Sequence, residues 1–316
     1  MARCSNPISM FLGYSVEDGV YKPVRRFFRK HDDNLSNRPE KQISERFLGS
    51  NGVWVMLPCR RCLPCQINYV KNWSTRAYLE GLCHSDSVFL TLTYDEEHLP
   101  NPPVLVRKDY QDFLKRLRKR LDKHIRVFGC GEYGSVNGRP HFHFILYGVS
   151  LVDLNPVQAF RPKGNLVYSC KLISDIWPYG FHSVGSVSIQ TLKYVARYTL
   201  KKQSPEGFDV DSDFPRPYLI TPRRPGLGVP FLQKFSSDLT KGFVVVDSKK
   251  VSIPLFLRQR LQKDNYLDYL KVESKLLEYR QKQPDLYDKE VFDQFCVDIA
   301  REDEYYTEKY SSYDRC

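Results

Sequence analysis

Residues 130–148 read CGEYGSVNGRPHFHFILYG, and the reading of this stretch decides how the rest of the chain is understood. Two runs of strand-forming residues, 125–128 and 141–147, flank a turn region containing Asn137-Gly138, which is the pattern of a β-hairpin. Side chains alternate along a strand, so His141 and His143 share one face while Phe142, Phe144 and Leu146 share the other. Two imidazoles beside Glu132 on the neighbouring strand form a donor set for a divalent metal. Imidazoles plus one carboxylate leave coordination positions open for a substrate phosphate, which suits manganese or magnesium. A His-x-His pair alone is more often a hydrogen-bonded bystander, so the reading depends on what accompanies it.

The strongest accompaniment lies downstream. Residues 191–202, TLKYVARYTLKK, read as a helix opened by a threonine cap. Tyr194 and Tyr198 stand four residues apart and share a face, with Lys201 close to it. Upstream, Ser87–Tyr94 reads as a strand with Phe89, Thr91 and Thr93 on one face and Val88, Leu90, Leu92 and Tyr94 on the other. One face is apolar and the other carries hydroxyls. Asp95, Glu96 and Glu97 follow it as a solvated loop. Residues 107–123 read as an amphipathic helix with Tyr110, Phe113, Leu114, Leu117 and Leu121 along one side and a basic remainder. His182 reads as a structural residue.

Cys59, Cys62 and Cys65 form a C-x-x-C-x-x-C run just before a helix containing Ile67, Tyr69, Trp73, Ala77 and Leu82. This is a zinc-ligand spacing. A closed zinc site takes four ligands, and Cys83 at the helix end is the nearest fourth in sequence. The competing reading is a reduced cysteine cluster that packs the helix start.

The chain has 316 residues, enough for a substantial core, and 48 Lys and Arg against 37 Asp and Glu leave a formal charge of +11. That balance favours a polyanionic partner, and nucleic acid is the first choice. No run reaches the roughly 18 apolar residues that span a bilayer, and the opening residues carry no apolar signal region, so a soluble intracellular protein without membrane attachment is expected. Nine cysteines without a secretory signal favour reduced thiols or a metal over a disulfide framework.

Composition divides the chain into three. Residues 1–50 are polar and basic and read as an irregular arm. Residues 51–203 hold the motifs. Residues 204–316 begin with an acidic loop and a proline-rich run, continue with a strand at 243–251 and helical spacing over 254–282, and end in a possible helix at 289–301 and a charged tail. This last part reads as a mostly helical accessory region.

Three segments, Phe89-Leu-Thr-Leu-Thr93, Arg139-Pro-His-Phe-His-Phe144 and Tyr194-Val-Ala-Arg-Tyr-Thr-Leu-Lys-Lys202, resemble the ordered motifs of the HUH endonucleases, which initiate rolling-circle replication. Gly131-Glu132-Tyr-Gly134 resembles the placement of the acidic metal ligand in small viral initiators. With the cysteine run and Trp73-x-x-Arg76, the pattern is similar to the replication initiators of microviruses, particularly the gokushovirus branch. The resemblance spans about residues 55–205.

The resemblance implies an α+β fold, a central antiparallel sheet flanked by helices, with the histidine strand inside it and the tyrosine helix packed across it. It implies His141, His143 and Glu132 as ligands of magnesium or manganese, and Tyr198 as the essential nucleophile with Tyr194 as its alternate, assisted by Lys201. The implied substrate is single-stranded DNA at a viral origin, nicked through a 5′-phosphotyrosine link and religated. The implied setting is the host bacterial cytoplasm, with a host helicase and replication machinery as partners. A non-cleaving origin-binding regulator, or a transposase or relaxase with the same chemistry, are the alternative readings.

Overall fold

The computed structural model describes residues 8–17, 20–28, 53–60, 62–134, 138–161, 166–197 and 215–281. The chain divides into two compact units, one of residues 1–68 with 284–316 and one of residues 69–283.

In the first unit, β1 (Ile8–Glu17), β2 (Val20–Phe28) and β3 (Val53–Leu57) form an antiparallel sheet in the order β2-β1-β3. Residues 8–17 and 20–28 thus depart from the expected irregular arm. The reason is legible in the sequence: Ile8, Met10, Leu12, Tyr14 and Val16 recur at every second position, and Glu17 pairs with Val20 across the two residues Asp18-Gly19, a favoured hairpin dipeptide. The rest of the expected arm, 1–7, 18–19 and 29–50, lies outside the described residues. Helix α1 (Leu63–Gly81) begins in this unit and continues into the next.

The second unit is built on a seven-stranded sheet. Its strands are β4 (Ser87–Tyr94), β5 (Arg126–Tyr133), β6 (Pro140–Tyr147), β7 (Pro156–Phe160), β8 (Val167–Cys170), β9 (Gly180–Ser186) and β10 (Tyr218–Ile220). Their order is β10-β5-β6-β4-β9-β8-β7, and every neighbouring pair is antiparallel. The expected α+β architecture is present, with the histidine strand β6 held inside the sheet between β5 and β4.

Strand alternation sorts the two faces. On β4, Val88, Leu90, Leu92 and Tyr94 are buried while their neighbours are only partly covered. They join Phe142, Phe144 and Leu146 of β6 against Tyr110, Phe113, Leu114 and Leu117 of α2 (Arg107–Leu121), and against Ile173 of α3 (Lys171–Ile176). Each large side chain buried this way contributes about 1.5–3 kcal/mol. On the opposite face, Phe128, Cys130, Ile145 and Tyr147 pack with Val70 and Ala77 of α1 and with Leu192, Val195 and Ala196 of α4 (Ile189–Arg197).

Helix α4 starts two residues before the expected threonine cap. Ser188 is the cap instead: Thr191 N–H donates to Ser188 Oγ at 3.2 Å, and Ser188 N–H donates to Thr191 Oγ1 at 2.8 Å. Thr191 is therefore the returning partner of a reciprocal cap rather than the cap itself.

Residues 215–281 pack onto the second unit's core. Strand β10 joins the sheet edge, and Leu79 of α1 anchors a further cluster with Phe231 and Leu232 of α5 (Val229–Phe235) and Leu257 and Leu261 of α6 (Leu255–Asp264). The strand expected over 243–251 is a hairpin, β11 (Phe243–Val246) with β12 (Lys249–Ser252), because Asp247 and Ser248 take φ of 50° and 61° and reverse the chain. The expected long helix is two, α6 and α7 (Tyr266–Gln281). Asn265 leaves helical geometry, and its side-chain oxygen accepts the Asp268 N–H at 3.2 Å, so it ends one helix and caps the next. The possible helix at 289–301 lies outside the described residues.

A buried ion pair locks this region to the sheet. Glu80 of α1 is fully buried and meets the Arg126 guanidinium of β5. Glu80 Oε2 also accepts the Gly228 N–H at 2.7 Å, and Arg126 donates to the Pro225 carbonyl at 3.1 Å. Gly228 has φ of 79°, and a Cβ there would stand 3.1 Å from the Arg76 carbonyl, so the close approach needs glycine.

Candidate active site

Strand register sets the site. Across β5 and β6, Cys130 stands opposite His143 and Glu132 opposite His141. Across β6 and β4, His143 stands opposite Thr91 and His141 opposite Thr93. Directly paired residues share a face, so one patch on three adjacent strands carries Glu132, both histidines and both threonines. Further along the same face lie Phe89, Phe128 and Ile145, whose apolar surface α1 and α4 cover. The face is thus graded from a packed apolar half to a polar half.

Each histidine is held by a hydroxyl. Thr91 Oγ1 lies 3.0 Å from His143 Nδ1, and Thr93 Oγ1 lies 2.9 Å from His141 Nδ1. Pairing at Nδ1 leaves Nε2 of each ring for other partners, and His141 Nε2 lies by Gly134, 2.9 Å from where a Cβ would stand. His143 Nε2 reaches Glu132 Oε1 at 2.8 Å, and both residues are buried. Burial, with the charges of His143 and Arg139 adding to it, lowers the His141 pKa to about 4 and keeps that ring neutral, the form that binds metal.

The donor set fits a divalent cation. Glu132 Oε2 is buried and accepts no hydrogen bond among the described residues, a condition that costs about 1–3 kcal/mol and that a cation relieves. Adjacent ligands of an octahedral ion with bonds near 2.1 Å stand roughly 3.0 Å apart, close to the His143–Glu132 separation. His141 stands wider, with its ring centroid 6.2 Å from that of His143. The threonines play the orienting part that metal-binding histidines usually require of their second nitrogen. The hydroxylated face of β4 is visible in the sequence, but the pairing of Thr-x-Thr with His-x-His needs the register.

Tyr194 stands beside this patch. Leu192, Val195 and Ala196 anchor α4 on the apolar half, and Tyr194, on the helix's other side, is 40% exposed. Its ring meets His143 edge-on at 5.2 Å between centroids and Phe89 edge-on at 6.1 Å. Phe89 in turn stacks on His143 at 5.8 Å. Of the expected nucleophile group, Tyr198 and Lys201 lie outside the described residues.

The acidic loop after β4 is locally satisfied. Asp95 Oδ1 accepts the His98 N–H at 2.8 Å, and Glu96 pairs with Arg139. His182 Nε2 accepts the Cys170 N–H at 2.8 Å, in keeping with a structural role.

The cysteines divide. Cys59, Cys62 and Cys65 bring their sulfurs within 4.8 Å of one another. Cys83 is not one of these three; it follows the C-terminus of α1, and its Sγ faces the Leu79 carbonyl at 3.6 Å.

Residues 87–203 match the family model of the replication-associated protein ORF2. The chain is 31% identical over 283 residues to the replication-associated protein VP4 of Bdellovibrio phage phiMH2K, covering 84% of this chain and 86% of that one. It is 29% identical over 233 residues to the replication-associated protein ORF2 of Spiroplasma virus 4, covering 68% of this chain and 72% of that one. Over 183 residues it is 27% identical to the replication-associated protein A of Enterobacteria phage phiX174, covering 51% of this chain and 34% of that one. No solved structure matches the chain. Likeness along most of both chains, together with the family match over the histidine and tyrosine segments, shows that this chain belongs to the microvirus-type replication-associated proteins of phages.

Proposed function

We propose that the protein serves phage replication as a nicking and rejoining enzyme, acting on single-stranded or locally melted origin DNA in the manner of the HUH endonucleases. The observation that carries this reading is the edge-on contact of Tyr194 with His143, which puts a partly exposed phenol beside a buried histidine–carboxylate pair. A tyrosine helix packed only for stability has no need of that neighbour.

Glu132, His141 and His143 would hold a magnesium or manganese ion, which when bound polarises the scissile phosphate and stabilises its developing charge. Thr91 and Thr93 keep the two rings oriented. The phenol oxygen of Tyr194 attacks phosphorus and gives up its proton. The bond from phosphorus to the 3′ oxygen breaks, that oxygen takes up a proton, and the 5′ phosphate remains esterified to tyrosine. The ester conserves the bond, so attack by a free 3′-hydroxyl reverses the step and ligates. A phenol with an ordinary pKa of about 10 needs a cation nearby, and Lys201, close in sequence to the Tyr194 and Tyr198 face, is assigned that task. Tyr194 and Tyr198 share this role, so that one tyrosine can hold an end while the other cuts.

A labelled single-stranded oligonucleotide carrying the phage origin tests the reading. Expected are a 3′-hydroxyl product and protein-linked 5′ DNA that form only with added magnesium or manganese. Binding without cleavage under any divalent metal would favour the regulator reading.

A further inference from the structure

The thiol cluster at the start of α1 shares no residue with the histidine site and has a geometry of its own. The Cys62 carbonyl accepts the first helical N–H, from Gln66 at 3.0 Å, so Cys62 is the helix cap and Cys65 lies in the first turn. Cys59 sits on the turn before it. The sulfurs of Cys59 and Cys65 are 4.0 Å apart, and the Cys62 N–H points at Cys59 Sγ at 3.3 Å. Between them Arg60 takes φ of 62°, an uncommon conformation for a long side chain, and the turn it makes brings Cys59 back over the helix start.

We infer that Cys59, Cys62 and Cys65 bind a structural zinc ion as three thiolates, with the fourth position taken by water or by a donor outside the trio. A tetrahedral zinc with Zn–S bonds near 2.3 Å spaces its sulfurs roughly 3.8 Å apart, close to the 4.0 Å between Cys59 and Cys65. An iron–sulfur cubane gives each thiolate a different iron and would hold the sulfurs further apart. A disulfide would draw two sulfurs to about 2.05 Å and leave the third aside. Partial positive charge at the helix start favours thiolates there, and the Cys62 N–H directed at sulfur adds to it. Three thiolates and zinc sum to one negative charge, beside Arg60 and Arg61 in sequence.

The consequence is a clasp. Strand β3 ends at Leu57, two residues before Cys59, so the ion ties that strand's end to the first turn of α1. A three-stranded sheet buries little surface by itself, and a metal tie of this kind contributes folding energy directly. This inference is independent of the nicking reading, since none of its ligands belongs to the histidine patch.

Elemental analysis of the full-length protein, purified reduced and without chelator, tests it. We expect about one zinc per chain in the parent and in the His141→Ala/His143→Ala variant, and loss of zinc in Cys62→Ser. Because Cys62→Ser could disturb the helix start, cobalt exchange into the parent provides the second reading: a near-ultraviolet sulfur-to-cobalt charge-transfer band with the strength of three thiolates. Absence of zinc from the freshly reduced parent, zinc that persists in Cys62→Ser, iron in place of zinc, or cobalt uptake without the thiolate band would each overturn the assignment.

Discussion

Thr91 holds His143 from the neighbouring strand, its Oγ1 3.0 Å from the ring's Nδ1, while the same ring's Nε2 meets Glu132 at 2.8 Å. One hydroxyl thus fixes the orientation of the histidine on which the proposed metal and tyrosine chemistry converge. Thr91→Val keeps the shape of the side chain and removes that hydroxyl. Expected is a fall in metal affinity of about 10- to 100-fold, with nicking lost at limiting manganese and restored at high concentration. Oligonucleotide binding should be unchanged, because phosphate contacts elsewhere dominate it. Metal titrations of nicking that superimpose for parent and variant would remove Thr91 from the site.

Glu80 and Arg126 form a different kind of pair. Glu80 is fully buried and Arg126 is 7% exposed, and between them they tie α1, the sheet and the 225–228 loop. Glu80→Ala leaves a buried guanidinium without its partner, so we expect a stability loss of about 3–5 kcal/mol. Urea unfolding followed by circular dichroism checks it. The double change Glu80→Met/Arg126→Met should recover a large part of the loss, since removing both charges removes the unpaired one.

His182 gives a pH dependence. Burial lowers its pKa below the usual 6.5, so the folded chain takes up the proton less readily than the unfolded one. Stability from this residue is present above about pH 6.5 and is lost as pH falls below it, because there the unfolded state binds more protons. His182→Gln keeps an acceptor for the Cys170 N–H and does not titrate. Thermal midpoints measured from pH 7.5 to 5 should fall more steeply for the parent than for His182→Gln. Parallel curves would contradict the assignment.

Much of the sheet is legible in the sequence because strand alternation is local. Val88, Leu90, Leu92 and Tyr94 are inside on β4, as the pattern of period two requires, and the expected hairpin strands are β5 and β6, with β5 running on to Tyr133 beyond the expected 125–128. The gathering of the candidate ligands is legible for a different reason: His141, His143 and Glu132 lie within 12 residues in sequence, and one hairpin is enough to bring them to one face. Thr91 and Thr93 are about 50 residues away, and only the register of β4 against β6 gives them a role. Ser188 is hidden as a cap because Thr191 offers the same chemistry three residues later; both side chains are used, in reciprocal roles. Reading residues 8–28 as an arm gives the basic run at 25–30 more weight than the alternation before it, and the alternation wins. Nothing local could assign the Glu80–Arg126–Gly228 tie, whose partners are 46 and 148 residues apart.

The central claim is a covalent phosphotyrosine formed beside His143, and the most direct measurement maps the DNA adduct by peptide mass spectrometry in the parent, Tyr194→Phe, Tyr198→Phe and the double variant. Phenylalanine keeps the ring that packs against His143 and removes only the hydroxyl, so a loss of reaction reports on the nucleophile rather than on packing. The account predicts 5′-linked DNA on Tyr194 or Tyr198 in the parent, an adduct in at least one single variant that fails to complete cutting and circle closure, and none in the double variant. An adduct on some other residue, or normal cleavage by the double variant, would contradict it.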